Sequence, residues 1–419
     1  MKPSFFLNGL AFGHIIECFD NALYGFFSVF LAPIFFPSSG KLNQLLLTFG
    51  VFAAGYFSKP IGAVIFGLIG DRFGPKISLA YSIGLIGIPT FIIGCLPDTH
   101  NIGIMVPAAL IICRMLQGIL YGGEFAGAHV YIFETILSKD HGKATGWLIA
   151  SGVVGAIFAT FFGIVCLWGI FPNWSWRVPF IVGGMLAFLA LHLRRSLESL
   201  PRPHKEMPYM QSLKILWISH RKSLFFCFML SGLATIPFYL STVYANKIYQ
   251  ELGFHPIEAM GLNMLTMIFN AILLIFSGWF ADKIGFVRTI NLGCWAIVFG
   301  AIPGFWLVSE GGALWHAIGF VVVLIVTGTI INGCAFPYMA QLFPVKVRYS
   351  GLAISYTFGN GILSGISPIV ATILSKLFLT EIAVALYPMI VALLTIYINR
   401  LWIVPLKSNH TENSFDKAA

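Results

Sequence analysis

Residues 114–127 read R-M-L-Q-G-I-L-Y-G-G-E-F-A-G. They place a guanidinium, Arg114, and a carboxylate, Glu124, inside an apolar segment that runs from about Gly103 to Phe133. Arg114, Gln117, Tyr121 and Glu124 follow at spacings of three, four and three, which puts them on one face of a helix. Gly118 pairs with Gly122, and Gly123 with Gly127, at the four-residue spacing that lets a second helix backbone come close. A charge in a hydrocarbon interior costs several kcal/mol unless it is paired or lines a polar cavity. A functional site is therefore the first reading of this stretch, and a structural ion pair locking two helices is the second.

Composition sets the class. The chain has 419 residues, of which 58% are hydrophobic and only 10% charged, against roughly a quarter charged in a soluble domain. Apolar runs of bilayer-crossing length recur throughout, and at that density only helices satisfy the backbone. The expected fold is all-α and polytopic. The net charge of +9 does not point to nucleic acid, because the cations sit in short loops between apolar runs. The seven cysteines all fall in apolar runs without a C-x-x-C spacing, so neither a disulfide framework nor a metal site is expected. The first run holds Glu17 and Asp20, unlike the apolar core of a cleaved signal, and is read as the first span.

Twelve spans are expected, at roughly 7–35, 45–70, 77–96, 103–133, 144–170, 178–193, 223–249, 256–281, 289–308, 313–337, 350–376 and 382–403. Of the 25 Lys and Arg, the loop residues Lys41, Arg177, Lys247 and Lys376 fall on one side and Lys59 and Arg114 lie inside spans; all the others fall at the N-terminus, in the even-numbered loops or in the tail. The positive-inside rule then puts both termini in the cytoplasm. The Pro-rich, charged stretch 194–222 divides the spans six and six. The expected organisation is a bundle at 1–193, a cytoplasmic linker at 194–222, a second bundle at 223–403 and a short tail at 404–419. An internal echo supports the division: G-D-R-F-G-P-K (70–76) and A-D-K-I-G-F-V-R (281–288) each follow an even-numbered span with Asp, a base and Gly.

The loop D-R-F-G-P-K and the arginine stretch R-M-L-Q-G resemble motifs of the major facilitator superfamily. Six stretches in order resemble its metabolite:proton symporter family, which includes proline/betaine, α-ketoglutarate, citrate and shikimate carriers: E-C-F-D-N-A-L-Y-G-F (17–26), K-P-I-G-A-V-I-F-G-L-I-G-D-R-F-G (59–74), R-M-L-Q-G-I-L-Y-G-G-E-F-A-G-A (114–128), W-S-W-R-V-P-F (174–180), L-R-R-S-L-E-S-L-P (193–201) and L-F-P-V-K-V-R-Y-S-G-L (342–352). The chain departs from that pattern at Cys18, Lys59, Phe286 and Gln341. The resemblance implies two six-helix bundles around a central cavity, with alternating access by rocking. It also marks Asp71, Arg72, Lys76, Asp282, Lys283 and Arg288 as a cytoplasmic gate, with Arg177 as an outer-gate candidate.

In span 1, His14, Glu17, Asp20, Asn21 and Tyr24 make a stripe at helical spacing. Asp20, Lys59 and Arg114 count to the same depth, and Glu17 and Glu124 lie toward the cytoplasm. That sets three carboxylates against two cations. Acids beyond the cations' pairing capacity are natural proton carriers, so Asp20 or Glu124 is the expected proton site, with Glu17 a further member of the coupling set and Arg114 tuning the carboxylate or holding a substrate carboxylate. Static pairs, Asp20–Arg114 and Glu17–Lys59, are the structural alternative. His14 and His129 are open candidates for coupling. The substrate set is Arg114, Lys59, Gln117, Tyr24 and Tyr121 from the first half. From the second half come Tyr239, Asn263, Asn270, Asn332, Tyr356 and Asn360, with Tyr244 and Thr266 beside them. Glu134 is expected to meet a loop base. No phosphate loop, H-E-x-x-H or G-x-S-x-G occurs, so the chain is expected not to be an enzyme, and no cofactor, metal, nucleic acid or obligate protein partner is expected. Its partners are a small solute, protons and the lipid bilayer. The expected function is proton-coupled uptake of a small polar metabolite across a bacterial inner membrane, a zwitterion such as an amino acid, proline or betaine first. An organic acid is the alternative, and a non-transporting receptor comes last.

Overall fold

A computed structural model of the chain describes residues 9–37, 41–97, 103, 105–167, 172, 174–199, 208–310 and 314–403. The expected tail 404–419 and the linker's residues 200–207 lie outside the described residues. Every expected span coincides with a helix. Span 1 is Gly9–Phe35, span 2 Lys41–Phe73, span 3 Pro75–Cys95, span 4 Met105–Thr135, span 5 His141–Leu167 and span 6 Arg177–Arg195. Spans 7 to 12 are Arg221–Glu251, Pro256–Ile284, Phe286–Glu310, Leu314–Gln341, Arg348–Phe378 and Glu381–Ile403. Eleven of these helical stretches are long and apolar enough to cross a membrane by length and composition, and span 1 is a continuous helix of 27 residues beside them. Within the expected linker, Tyr209–Ser219 is a helix of its own.

The echo between the halves is geometric as well as sequential. Gly74 and Gly285 end spans 2 and 8 with φ of 94° and 90°, a region that costs a side chain and suits glycine. Each lies three residues after an aspartate, Asp71 or Asp282.

Glycine also decides how span 4 packs. A Cβ added at Gly118 would collide with the Gly55 carbonyl, one at Gly122 with the Lys59 carbonyl, and one at Gly62 with the Ile119 carbonyl. Spans 2 and 4 thus meet backbone to backbone. The same contact interrupts the helix at Gly122–Gly123, a glycine pair being a usual site of such a break. Span 11 bonds two carbonyls there from across the molecule: the Thr357 hydroxyl donates to Gly122 O at 3.2 Å, and the Tyr349 hydroxyl donates at 2.9 Å to Gly123 O, which also accepts from the Gly127 amide. Span 5 runs against span 8 in the same small-residue manner, Gly142 and Gly146 facing Gly278 and Leu274. Ala150, Val153, Met267, Ala271 and Leu274 continue that seam as an apolar cluster.

Arg194 corrects the sequence reading. Expected in the linker, it is instead fully buried in the last turn of span 6. Its guanidinium pairs with Glu124, donates from Nη1 to Leu79 O at 2.8 Å and from Nε to Gly9 O at 3.2 Å. The Ser82 hydroxyl donates to the other Glu124 oxygen. Gly13 leaves the room, since a Cβ there would collide with the guanidinium. One buried pair therefore ties spans 1, 3, 4 and 6. Arg194→Met strands Glu124 as a lone buried charge, which costs about 3–5 kcal/mol. A double-mutant cycle on thermal unfolding of the purified protein checks this: Arg194→Met with Glu124→Gln should be less destabilised than Arg194→Met alone, and strict additivity would show that the two side chains act independently.

Candidate functional site

The break in span 4 splits the polar face that the sequence suggests. Arg114, Gln117 and Tyr121 stay together on the stretch before it, and Glu124 opens the segment after it, committed to Arg194. Around the first three a network closes. Gln117 Nε2 donates to Asp20 Oδ2 at 2.8 Å and to the Thr90 hydroxyl at 2.9 Å. The Tyr121 hydroxyl donates to the same Asp20 oxygen. Arg114 Nη1 donates to Gln117 Oε1 at 2.9 Å. Gln117 thus stands between cation and carboxylate, accepting from one and donating to the other. Asp20 is 1% exposed and Arg114 2%; Asp20 Oδ1 and Arg114 Nε are buried and make no hydrogen bond among the described residues.

The cations lean on rings instead of acids. The Arg114 guanidinium lies 4.5 Å from the Tyr24 ring centre and 5.7 Å from that of Phe52. Lys59 Nζ lies 3.9 Å from the Tyr56 ring centre and 5.6 Å from that of Tyr121. Tyr24, Phe52 and Tyr56 form a ladder, with ring centres 6.2 and 4.9 Å apart, so the two cations sit along one aromatic run. The Tyr24 hydroxyl donates to Thr48 O at 3.2 Å, fixing its ring, and Asn21 Nδ2 reaches the Tyr56 hydroxyl at 3.5 Å. Among the described residues neither Arg114 nor Lys59 forms an ion pair with a carboxylate. The static pairs Asp20–Arg114 and Glu17–Lys59 are therefore not what the structure holds. Glu17 pairs with His14 Nδ1 at 3.0 Å, one turn along its own helix. Cation–π contact contributes about 0.5–2 kcal/mol, less than a full counter-ion supplies, so both cations retain capacity for an anion.

The second half contributes unevenly. Tyr356 stacks on Phe125 of span 4 with ring centres 4.3 Å apart, and Asn360 Nδ2 reaches the Tyr356 hydroxyl at 3.4 Å. His129 bonds through Nδ1 to Phe125 O at 2.8 Å and lies against Phe336. Asn332 is spent on the backbone of span 7, donating to Ala234 O at 3.1 Å. Asn263 donates to Asn246 at 2.5 Å, and Thr266 bonds to Leu262 O in its own helix. Asn270 is buried and Tyr239 half-buried. Tyr244 donates to Glu381 at 2.6 Å, where Lys247 joins it at 3.2 Å, a cluster within the second half. The spacing of Asn263, Thr266 and Asn270 thus marks one helix face, but the structure joins none of them to the Asp20 network.

The repeated aspartates cross between the halves. Asp71 accepts from the amides of Tyr349 at 2.8 Å and Ser350 at 3.1 Å. Asp282 accepts from those of Gly142 at 2.7 Å and Lys143 at 2.9 Å. In each case a carboxylate at the end of one span meets the first turn of a helix in the other half, where free amides and the helix dipole favour an anion. Glu134 meets Arg348 across the same end at 2.9 Å, as expected of a loop base. Arg72 lies over Phe73 and Lys283 over Trp279, each within its own helix. Lys76 is half-buried and Arg288 exposed. Arg177 donates to Leu96 O at 2.8 Å.

Sequence reasoning passed over Ser82, Thr90, Phe52 and Tyr56, whose types carry no signal in an apolar helix, and the amide acceptors at 142–143 and 349–350, since every residue has an amide. Arg194 was the findable one, being part of the quoted L-R-R-S-L-E-S-L-P.

Comparison with known proteins agrees with this architecture. The family model described as the Major Facilitator Superfamily matches residues 10–368. The chain is 30% identical to the alpha-ketoglutarate permease of Escherichia coli (strain K12), over 88% of this chain and 87% of the relative. It is 28% identical to the proline/betaine transporter of the same organism, over 92% and 80%, and 29% identical to the citrate-proton symporter of Salmonella typhi, over 87% and 86%. In fold it is similar to the structure of the proton:xylose symporter XylE bound to 6-bromo-6-deoxy-D-glucose, with a TM-score of 0.78 at 16% identity, over 96% of this chain and 95% of that one. The chain is a multi-pass membrane protein that belongs to the major facilitator superfamily and, within it, to the metabolite:proton symporter family.

Proposed function

We propose that this protein is a proton-coupled symporter of the bacterial inner membrane that takes up a small carboxylate-bearing metabolite by alternating access. Both termini lie in the cytoplasm, and two six-span halves move about a site near Asp20 and Arg114. It is a carrier, not an enzyme. The observation that carries the substrate class is that Arg114 and Lys59 stand on aromatic faces and, among the described residues, have no carboxylate partner. Three acids facing two cations would favour a zwitterion. With Arg194 buried, Glu124 is answered, and Glu17 is answered by His14. The balance at the site becomes two cations to one acid, Asp20, and favours an organic anion. A zwitterion is the second reading, supported by the similarity to proline/betaine carriers and by the ring faces of Tyr56 and Tyr356, which suit an ammonium group.

In this reading a proton arrives at Asp20 Oδ1, the carboxylate oxygen without a partner. Protonation removes the anion that Arg114 senses through Gln117, and Arg114 and Lys59 then take the substrate carboxylate. With a dicarboxylate bound the loaded site is neutral, against one net positive charge when it is empty with Asp20 ionised, so the halves can rock over it. Loss of the proton on the inner side makes Asp20 compete again for the cations and expels the anion.

Charge movement and uptake in proteoliposomes test this with α-ketoglutarate, citrate, proline and glycine betaine. Carboxylic acids should drive proton uptake, and Asp20→Asn should abolish the response to an imposed pH gradient. Arg114→Gln should raise KM about 10- to 100-fold, the worth of a charge-assisted hydrogen bond of about 1.5–3 kcal/mol. Responses confined to proline and betaine would move the substrate to the zwitterion class and leave proton coupling at Asp20 standing.

The aspartates give a separate expectation. Asp71→Asn with Asp282→Asn weakens two helix-end contacts that hold the Asp71 end shut. Cysteines placed in the central cavity should then label from the cytoplasmic side several-fold faster than in the parent background. Unchanged labelling would show that Glu134–Arg348 and the glycine seams suffice for closure.

A further inference from the structure

Span 1 holds a second polar cluster that the Asp20 network does not use. His14, Glu17 and Cys18 lie at i, i+3 and i+4, so one ligand atom from each points to the same side of the helix. His14 Nδ1 is 3.0 Å from Glu17 Oε2, and Cys18 Sγ is 3.9 and 3.8 Å from the two ring nitrogens of His14. All three ligand atoms fall within 4.8 Å of one another. His14 and Glu17 are buried and Cys18 is half-buried. A tetrahedral ion with bonds of about 2.0–2.3 Å sets neighbouring ligand atoms about 3.3–3.8 Å apart, close to the spacings found. Span 5 presents Gly152 to the cluster; a Cβ there would stand 2.5 Å from His14 Nε2 and 2.8 Å from Cys18 Sγ, so a side chain at that position would collide with both ligands.

We propose that His14, Glu17 and Cys18 form a three-ligand site for a thiophilic divalent cation of the Zn²⁺ or Cd²⁺ type, with its fourth position left to water, and that its occupancy arrests transport. The donor set selects the ion. Imidazole, carboxylate and sulfur together suit zinc and its softer relatives, whereas magnesium and calcium ask for oxygen throughout. Charge selects it too. Binding displaces to water the thiol proton and the proton that makes His14 cationic beside Glu17; the imidazole is then neutral, and the thiolate and the Glu17 carboxylate carry two negative charges that a dication cancels, which a buried site requires. Arrest follows from what His14 touches. Its ring lies 5.4 Å from that of Phe125, whose own ring stacks on Tyr356 of span 11 in the other half. Fixing His14 to Glu17 and Cys18 stiffens one side of a contact that must part when the halves rock.

Titration of the purified protein with Cd²⁺, followed by the ultraviolet charge-transfer band of cadmium–thiolate bonds, tests the site without reference to transport. One equivalent should develop the band in the parent and in Cys95→Ser, which removes an exposed thiol elsewhere. Cys18→Ser and Cys18→Ala should lose it, and His14→Gln should weaken binding at least about tenfold. A band that persists in both Cys18 variants, or none in the parent, overturns the site. In proteoliposomes Zn²⁺ should inhibit uptake by the parent, reversibly with EDTA, and spare Cys18→Ser, whose metal-free uptake should match the parent's. Uptake by the parent that Zn²⁺ leaves unchanged overturns the arrest.

Discussion

A guanidinium keeps its charge at any pH a cell meets, so each arginine in a hydrocarbon interior must find there what water would have supplied. Arg194 and Arg114 meet that constraint in opposite ways. Arg194 is answered in charge by Glu124 and bonded by the carbonyls of Leu79 and Gly9, on three helices other than its own, with Nη2 alone making no hydrogen bond among the described residues. Such an arginine is a fastener, with little left to offer a ligand. Arg114 is half answered, by an amide oxygen and two ring faces. It is held in place without being neutralised, and that difference separates scaffold from site within one bundle.

The fastener and the glycines together make the site rigid. Spans 2 and 4 meet backbone to backbone, which fixes Lys59 and Arg114 relative to each other through main chain instead of long side chains. The break at Gly122–Gly123 places two carbonyls where span 11 bonds them. The arginine stretch is thereby joined to the opposite half at the point where the halves must separate during transport. Asp71 and Asp282 hold that same end through main-chain amides. Contacts of this kind depend on helix position more than on side-chain identity, and they can break and re-form as rigid bodies rock.

Much of this was legible in the sequence, for reasons that differ by residue. Span lengths, the repeated Asp–base–Gly loops and the glycine spacing are local patterns, and they appear in the structure as helices, positive-φ glycines and close helix contacts. The grouping of Arg114, Gln117 and Tyr121 was legible because helical periodicity holds over two turns. Glu124 was misplaced because periodicity does not survive a glycine pair that bends the chain. Arg194 was misplaced because a base beside a polar linker reads as solvated, and only its burial among spans 1, 3, 4 and 6 shows otherwise. Asn263 and Asn332 were placed on the right helices, yet nothing local says whether an amide faces a ligand or bonds a neighbouring helix.

The misplaced arginine changes the electrostatic argument and not only the inventory. With Arg194 outside the membrane, the first half holds surplus acid, and its acids look like competing proton carriers. With Arg194 inside, Glu124 is tied to a permanent cation and Glu17 to His14, which leaves Asp20 as the acid whose charge is shared through an amide. An amide can transmit that charge without cancelling it. Gln117 keeps Asp20 and Arg114 out of direct contact, so protonating Asp20 does not have to break an ion pair. In the proposed cycle the proton at Oδ1 only neutralises the carboxylate, leaving Oδ2 to accept from Gln117 and Tyr121, and the cation beyond keeps room for the substrate. A direct Asp20–Arg114 bridge would hold both charges more tightly and couple them less usefully, since substrate would have to compete with a formed pair instead of completing an unfinished one.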